Sequence, residues 1–216
     1  MEDKKLHRVN SLQGAVEAPG DKSISHRALI LSAISDGVCR VSGLSGALDV
    51  QSTAACLRAL GVKINKAKNG AIVHGVGMNG LRAPQKILDA GNSGTTIRLL
   101  SGVLAAQNFT ATITGDESLR NRPMRRIIEP LDLMGARINS DDFKAPLTIT
   151  GGPLRAIDYA SSVASAQVKS CILLAGLYAR GVTRVTEPYH SRDHTELMLQ
   201  EMGANIRSSE ALAAII

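Results

Sequence analysis

The sequence predicts an α/β domain built from three similar units, starting near residue 20 and running to residue 216. Two observations lead there. A closing signature recurs as Leu60-Gly-Val-Lys-Ile64, Met134-Gly-Ala-Arg-Ile138 and Met202-Gly-Ala-Asn-Ile206. Upstream of each copy the same elements follow in the same order: a small-residue-rich apolar helix, a short β-type run, then a second, amphipathic helix. Self-similarity in fixed order marks a repeat architecture. The copies cover about 20–75, 90–151 and 160–216.

The first copy opens with an apolar helix over Arg27–Ser35, continues through the β-type run Val38–Val41, and forms its second helix over Val50–Leu60. Val62-Lys-Ile-Asn to Ala71-Ile-Val-His then reads as a hairpin. In the second copy the helix Thr96–Ala106 precedes Phe109–Thr114, and the helix Met124–Met134 sets Ile127, Ile128, Leu131 and Met134 on one face at helical spacing. The third copy runs through Val168–Ala179, Val182–Thr186 and Thr195–Met202, where Leu197, Leu199 and Met202 read as one apolar face. It closes on a stretch from Ala204 to Ile216, about as long as the first hairpin. The glycine after each second helix is placed to end it in a left-handed conformation. Asp193-His-Thr-Glu196 has capping-box spacing for the last of these helices.

Composition narrows the function. With 44% hydrophobic and 20% charged residues among 216, the chain has material for a core and lacks the signature of disorder. The longest apolar run, Cys171–Ala179, falls well short of the roughly 20 residues that cross a bilayer. The start, Met1-Glu-Asp-Lys-Lys-Leu-His-Arg8, shows no apolar segment of a secretory signal. Cys39, Cys56 and Cys171 form no C-x-x-C pair and sit among aliphatic residues. They read as small buried hydrophobes in a reducing cytoplasm, not as a disulfide framework or a zinc site. A net charge of +6 favours an anionic partner. Two Phe, three Tyr and no Trp leave little for base stacking, which speaks against single-stranded nucleic acid.

Four stretches have the make-up of anion sites. In Pro19-Gly-Asp-Lys-Ser-Ile-Ser-His-Arg27, Lys22 and Ser23 fall at a helix start, where free N–H groups and the positive dipole end attract phosphate or carboxylate. Arg27 lies four residues after Ser23 on the same face. A Ser N-cap with solvated charges would look the same, and spacing does not separate the two. Gly91-Asn-Ser-Gly-Thr-Thr-Ile-Arg98 holds the same position in the second copy. Its glycines allow close backbone approach, and Asn92, Ser93, Thr95 and Thr96 supply donors. It lacks the Gly-Lys-Ser/Thr ending of a P-loop.

The third stretch is Arg120-Asn-Arg-Pro-Met-Arg-Arg126, where Pro123 suits a first helical turn and puts Arg122 at the helix start, with Arg125 and Arg126 as a solvated face. The fourth is Ser161-Ser-Val-Ala-Ser-Ala-Gln-Val-Lys169, followed by Ser191-Arg192-Asp193. His190 and His194 with Asp193 and Glu196 have a spacing that zinc ligands can show, but capping already explains the two acids. No G-x-S-x-G elbow supports a serine hydrolase.

Taken together, Gly20-Asp-Lys-Ser with His26-Arg27, Gly91-Asn-Ser-Gly-Thr95, Asn121-Arg-Pro-Met124, Ser165-Ala-Gln-Val-Lys169 and Arg192-Asp-His-Thr-Glu196 resemble the 5-enolpyruvylshikimate-3-phosphate synthase family, from about residue 12 onward and in the family's order. Three of the motifs resemble the class II subgroup, known for reduced glyphosate sensitivity. The resemblance implies one lobe of a two-lobed, inside-out α/β fold, each lobe made of three βαβαββ units. It implies transfer of the enolpyruvyl group of phosphoenolpyruvate to the 5-hydroxyl of shikimate 3-phosphate, with release of phosphate, in the shikimate pathway of aromatic amino-acid biosynthesis. No metal and no cofactor are implied.

By motif, Lys22, Ser23, Arg27, Ser165, Ala166, Gln167 and Arg192 are expected on shikimate 3-phosphate, and Lys22, Asn92, Gly94, Thr95, Arg122 and Gln167 on phosphoenolpyruvate. Gly94 stands where some tolerant relatives carry alanine, which sets it against the class II signatures.

Family members run to roughly twice this length, and the lobe that carries their proton-transfer residues has no counterpart here. The expectation is a substrate-binding half, inactive alone, whose partner is the C-terminal lobe in cis or in trans. Residues 1–18 are expected to belong structurally to that lobe. Asp49 and Asp89 are not expected to face the site. Two rivals stand beside this assignment. One is the sibling enolpyruvyl transferase acting on UDP-N-acetylglucosamine, which commonly uses a reactive Cys. The other is a non-catalytic or partner-dependent anion-binding module.

Overall fold

The computed structural model describes residues 4–5, 7–11, 13–209 and 211–216. The first copy contains α1 (Lys22–Ile34), β1 (Asp36–Ser42), α2 (Leu48–Ala59), β2 (Lys63–Ala67) and β3 (Gly70–Val76). The second contains β4 (Leu88–Asp89), α3 (Gly94–Leu104), β5 (Thr110–Thr114), α4 (Glu117–Arg120), α5 (Arg125–Leu133), β6 (Arg137–Asp141) and β7 (Lys144–Thr150). The third contains β8 (Asp158–Ala160), α6 (Ala166–Gly176), β9 (Thr183–Thr186), α7 (His194–Glu201), β10 (Ile206–Ser208) and β11 (Leu212–Ile215).

Each copy builds its own sheet, in the orders β1-β3-β2, β4-β5-β7-β6 and β8-β9-β11-β10. In the second and third, the leading strand runs parallel to its neighbour and all other pairs are antiparallel. Among the described residues the first sheet has no such leading strand. Among the described residues before α1 none is in a strand, Val16 is 93% exposed, and β1 is left as an open edge. The expectation for residues 1–18 lies partly outside the described residues, at 1–3, 6 and 12.

The sheets surround three buried helices. α1, α3 and α6 are apolar on nearly every side because each is enclosed by neighbours rather than laid on a surface. Leu29, Ile30, Leu100, Val103, Ile172 and Leu173 fill the space between them. α3 and α6 approach so closely that a Cβ on Gly102 would stand 2.2 Å from the Cys171 carbonyl oxygen.

The caps of these helices, Asp21, Ser93 and Ser165, are evenly spaced 72 residues apart, and each side chain accepts the N–H of the third residue on. So Asp21, not a serine, caps α1. All three helices begin two to five residues earlier than their apolar patterns predict, at Lys22, Gly94 and Ala166. Their first turns are polar because they end at an open face, and apolar periodicity does not register them.

Gly61, Gly135 and Gly203 have φ of +93°, +100° and +84°, the left-handed stops expected after the second helices. α4 is a single turn, capped by Asp116 and too short for apolar periodicity to register. It shifts Arg122 and Pro123 into the link before α5, which starts only at Arg125. Two expectations for α7 fail. Leu197 and Met202 are 50% and 44% exposed, and the buried face is Thr195, Glu196 and Leu199. Asp193 makes no side-chain cap bond, and Glu196 turns inward instead.

Candidate functional site

The starts of α1, α3 and α6 converge on one face, joined by the side chains of their first two turns. At α1, Lys22 Nζ lies 2.8 Å from Asp49 Oδ2, and Arg192 donates to Ser23 Oγ at 3.1 Å. Asp49 therefore does face the site, against expectation. Asp89 is spent on the loop, where its carboxylate accepts the Gly91 N–H at 2.8 Å.

One turn deeper, Arg27 is 3% exposed. It donates to Thr195 Oγ1 at 2.6 Å, Ser23 O at 2.9 Å, Ser170 Oγ at 2.7 Å and Ala166 O at 3.4 Å. Four of its five N–H groups are thus used to tie α1 to α6 and α7, and one remains. Burial lowers its pKa, and the nearby Glu196 carboxylate offsets part of that cost.

At α6, Ser165 caps the helix and gives its own N–H to Glu187 Oε1 at 2.7 Å. Glu187 also accepts from Ser191 Oγ, at 2.9 and 2.7 Å, and meets Lys169 Nζ at 3.0 Å. Burial works to raise its pKa, but bonds from Ser191, Lys169 and Ser165 prevail and hold it below the usual carboxylate range. Lys169 reaches Glu196 Oε1 at 2.7 Å, so a buried cation sits between two buried carboxylates. Above this base opens a cleft of about 400 Å³ whose lining includes Ser165, Ala166, Gln167, Ser191 and Arg192.

At α3, Gln167 spans two helices. Its Nε2 donates to Thr95 Oγ1 at 2.9 Å and its Oε1 accepts from Arg98 Nη1 at 3.0 Å. Arg98 also donates to Pro123 O at 3.1 Å, which anchors the link that carries Arg122. Arg122 donates to Asn92 Oδ1 and Asn92 to Asp116, at 2.8 Å for the shorter bond. Hydrogen bonds from Leu119 N–H and Asn92 hold the Asp116 carboxyl below its usual range. Burial lowers the Arg98 pKa and the neighbouring Arg122 adds to that, so two guanidiniums share one small space beside Gly94. An anion between them would relieve that repulsion.

All eleven residues expected from the motifs thus lie at or just beneath the three helix starts. Sequence reasoning missed Arg98, Glu187, Asp49 and a buried chain in which His26 Nδ1 lies 2.6 Å from Thr53 Oγ1 and Thr53 Oγ1 2.7 Å from Thr96 Oγ1. Arg98 had a signal: it lies four residues after Gly94, as Arg27 does after Ser23. Glu187 and Asp49 had none, because their lysine partners lie 18 and 27 residues away with no periodic relation.

The family model for EPSP synthase (3-phosphoshikimate 1-carboxyvinyltransferase) matches residues 6–216. The chain is 54% identical over 209 residues to the 3-phosphoshikimate 1-carboxyvinyltransferase of Solibacter usitatus, covering 96% of this chain and 49% of that protein. It is 56% identical over 195 residues to that of Methylococcus capsulatus, covering 89% and 45%. A solved structure of EPSP synthase from Acinetobacter baumannii superposes with a TM-score of 0.90 at 48% identity, covering 94% of this chain and 46% of that one. The chain spans about half the length of the curated relatives it matches. By sequence match and by fold, the chain belongs to the EPSP synthase family.

Proposed function

We propose that this chain is the shikimate 3-phosphate-binding half of an enolpyruvyl transferase that joins phosphoenolpyruvate to the 5-hydroxyl of shikimate 3-phosphate and releases phosphate. The observation that carries this is the meeting of Arg192 with Ser23 and of Gln167 with Thr95, which draws three helix starts into one cationic face. Shikimate 3-phosphate sits over the cleft at α6, on Ser165, Ala166 and Gln167, with Lys22, Ser23, Arg192 and the remaining N–H of Arg27 on its other side. Phosphoenolpyruvate sits toward α3, on Asn92, Gly94, Thr95 and Arg122, with Lys22 and Gln167 between the two. Helix dipoles and fixed guanidiniums offset the combined negative charge and hold the reacting atoms together.

The proton needed at the enol carbon comes from the second half that the longer relatives have, and Asp49 serves to aim Lys22. That half pairs with the exposed segment 13–18 and covers the open edge of β1. The thiols of Cys56 and Cys171, buried and pushed up to about 12 by desolvation, suit a reducing cytoplasm and do not supply the reactive Cys of the UDP-N-acetylglucosamine enzyme. Cys39, half-buried rather than buried as expected, meets Ser35 Oγ at the far end of α1 from the site.

Amide spectra of the labelled chain titrated with shikimate 3-phosphate test this. Shifts at Ser23, Ser165, Ala166 and Gln167 are expected, with about tenfold weaker binding in Arg192→Ala. Inorganic phosphate binding as tightly as shikimate 3-phosphate, or shifts confined to other surfaces, would contradict it.

A further inference from the structure

α1 sends two adjacent residues to opposite sides: Arg27 toward α6 and α7, His26 toward α2 and α3. His26 is fully buried, with Nδ1 2.6 Å from Thr53 Oγ1. Thr53 Oγ1 lies 2.7 Å from Thr96 Oγ1, and Thr96 Oγ1 donates to Ser93 Oγ, the cap of α3, at 2.7 Å. The Asp49 carbonyl, 3.3 Å from Thr96 Oγ1, can only accept. With Thr96 as donor to Ser93, its single hydroxyl proton points away from Thr53. Thr96 must then accept from Thr53, and Thr53, its proton spent, must accept from His26. In this order the imidazole proton sits on Nδ1.

Nε2 has no partner among the described residues. Either tautomer leaves it unpaired, and the opposite one would also bring the Thr53 and Thr96 oxygens together without a proton between them. Burial pushes the imidazole pKa down to about 4, which keeps the ring neutral.

We propose that His26 is a positioning residue: locked as the Nδ1–H tautomer, it starts a one-way donor chain through Thr53 and Thr96 that fixes the start of α3 relative to Lys22. Its effect on ligands rests on the function proposed above, in which phosphoenolpyruvate sits at α3. Arg27 anchors the shikimate 3-phosphate side separately, so the two substrates should respond differently to loss of the chain.

Long-range imidazole nitrogen spectra of the labelled chain read the tautomer without any ligand. His26 is expected as Nδ1–H from about pH 5.5 to 8. An Nε2–H tautomer or an imidazolium in that range overturns the proposal. In titrations with phosphoenolpyruvate followed at the Gly94 and Thr95 amides, His26→Leu, which has no donor, should bind about tenfold more weakly. His26→Asn, whose amide can donate near the Nδ1 place, should restore most of that, and shikimate 3-phosphate affinity should hold in both. Thr53→Val severs the chain without emptying the site and should repeat the Leu result if that variant fails to fold. Equal loss for both substrates, or no recovery in His26→Asn, overturns the positioning role. If the parent chain does not respond to phosphoenolpyruvate, the functional assignment fails. The tautomer and the hydrogen exchange of Thr96 N–H across the same variants then decide the donor chain.

Discussion

A Cβ built on Gly94 would stand 2.6 Å from Arg98 Nη1 and 3.3 Å from Arg122 Nη1. Both are ends of flexible side chains, so an added methyl moves guanidiniums and leaves the backbone in place. The bond at stake is Arg98 to Gln167 Oε1, the brace between α3 and α6. Gly94→Ala is expected to fold normally and to bind phosphoenolpyruvate about tenfold more weakly in a direct titration. Unchanged binding would contradict the brace. Comparing glyphosate inhibition of the full-length parent with its Gly94→Ala variant separates this effect from simple crowding of the inhibitor.

A second residue-scale consequence is a pH dependence. His26 titrates near 6.5 when unfolded and near 4 when folded, so between those values the unfolded chain binds more protons. Stability from this group is fully present above about pH 6.5 and falls as pH drops toward 4, by roughly 2 kcal/mol at pH 5. Urea unfolding at pH 7.5 and 5 should show this slope in the parent and not in His26→Asn, and equal slopes would contradict it. The motif residues were legible because their types and spacings are local. The buried polar chain was not, because His26, Thr53 and Thr96 meet through tertiary contact alone.

Among the elements, the second helices were legible where their inner face is apolar, as in α5, whose Ile127, Ile128 and Leu131 are buried as their spacing predicts. α7 misled because its inner face is polar by need. Thr195 bonds Arg27 and Glu196 bonds Lys169, so the apolar Leu197 and Met202 are left outward. No apolar periodicity can report a helix buried through charges. The tight crossing of α3 and α6 gives an element-scale prediction. Gly102→Ala puts a methyl against the Cys171 backbone, which cannot rotate away as a side chain does. It should cost about 1–3 kcal/mol by denaturant unfolding. By parting the helices it should also weaken the Gln167–Thr95 contact and hence shikimate 3-phosphate binding. A variant as stable as the parent would show that the helices can separate without cost.

For the molecule as a whole, the threefold plan was readable from the closing signatures, each of which marks a left-handed glycine after a second helix. What the sequence could not show is how the copies differ. Among the described residues the second and third sheets have four strands and the first has three, with β1 open along one edge. Open edges invite a further strand, and the helix starts that carry the cationic side chains open onto solvent rather than into an enclosed site. In that state water competes for every charged contact.

The most direct test measures phosphate release from shikimate 3-phosphate and phosphoenolpyruvate, by this chain alone and with the complementary C-terminal half of a relative added. Turnover only with both halves is the predicted result: this lobe supplies the anion-binding face and the second half supplies the proton transfer. Turnover by the chain alone would contradict it and would place the proton donor within these residues, with Asp49 the first to replace.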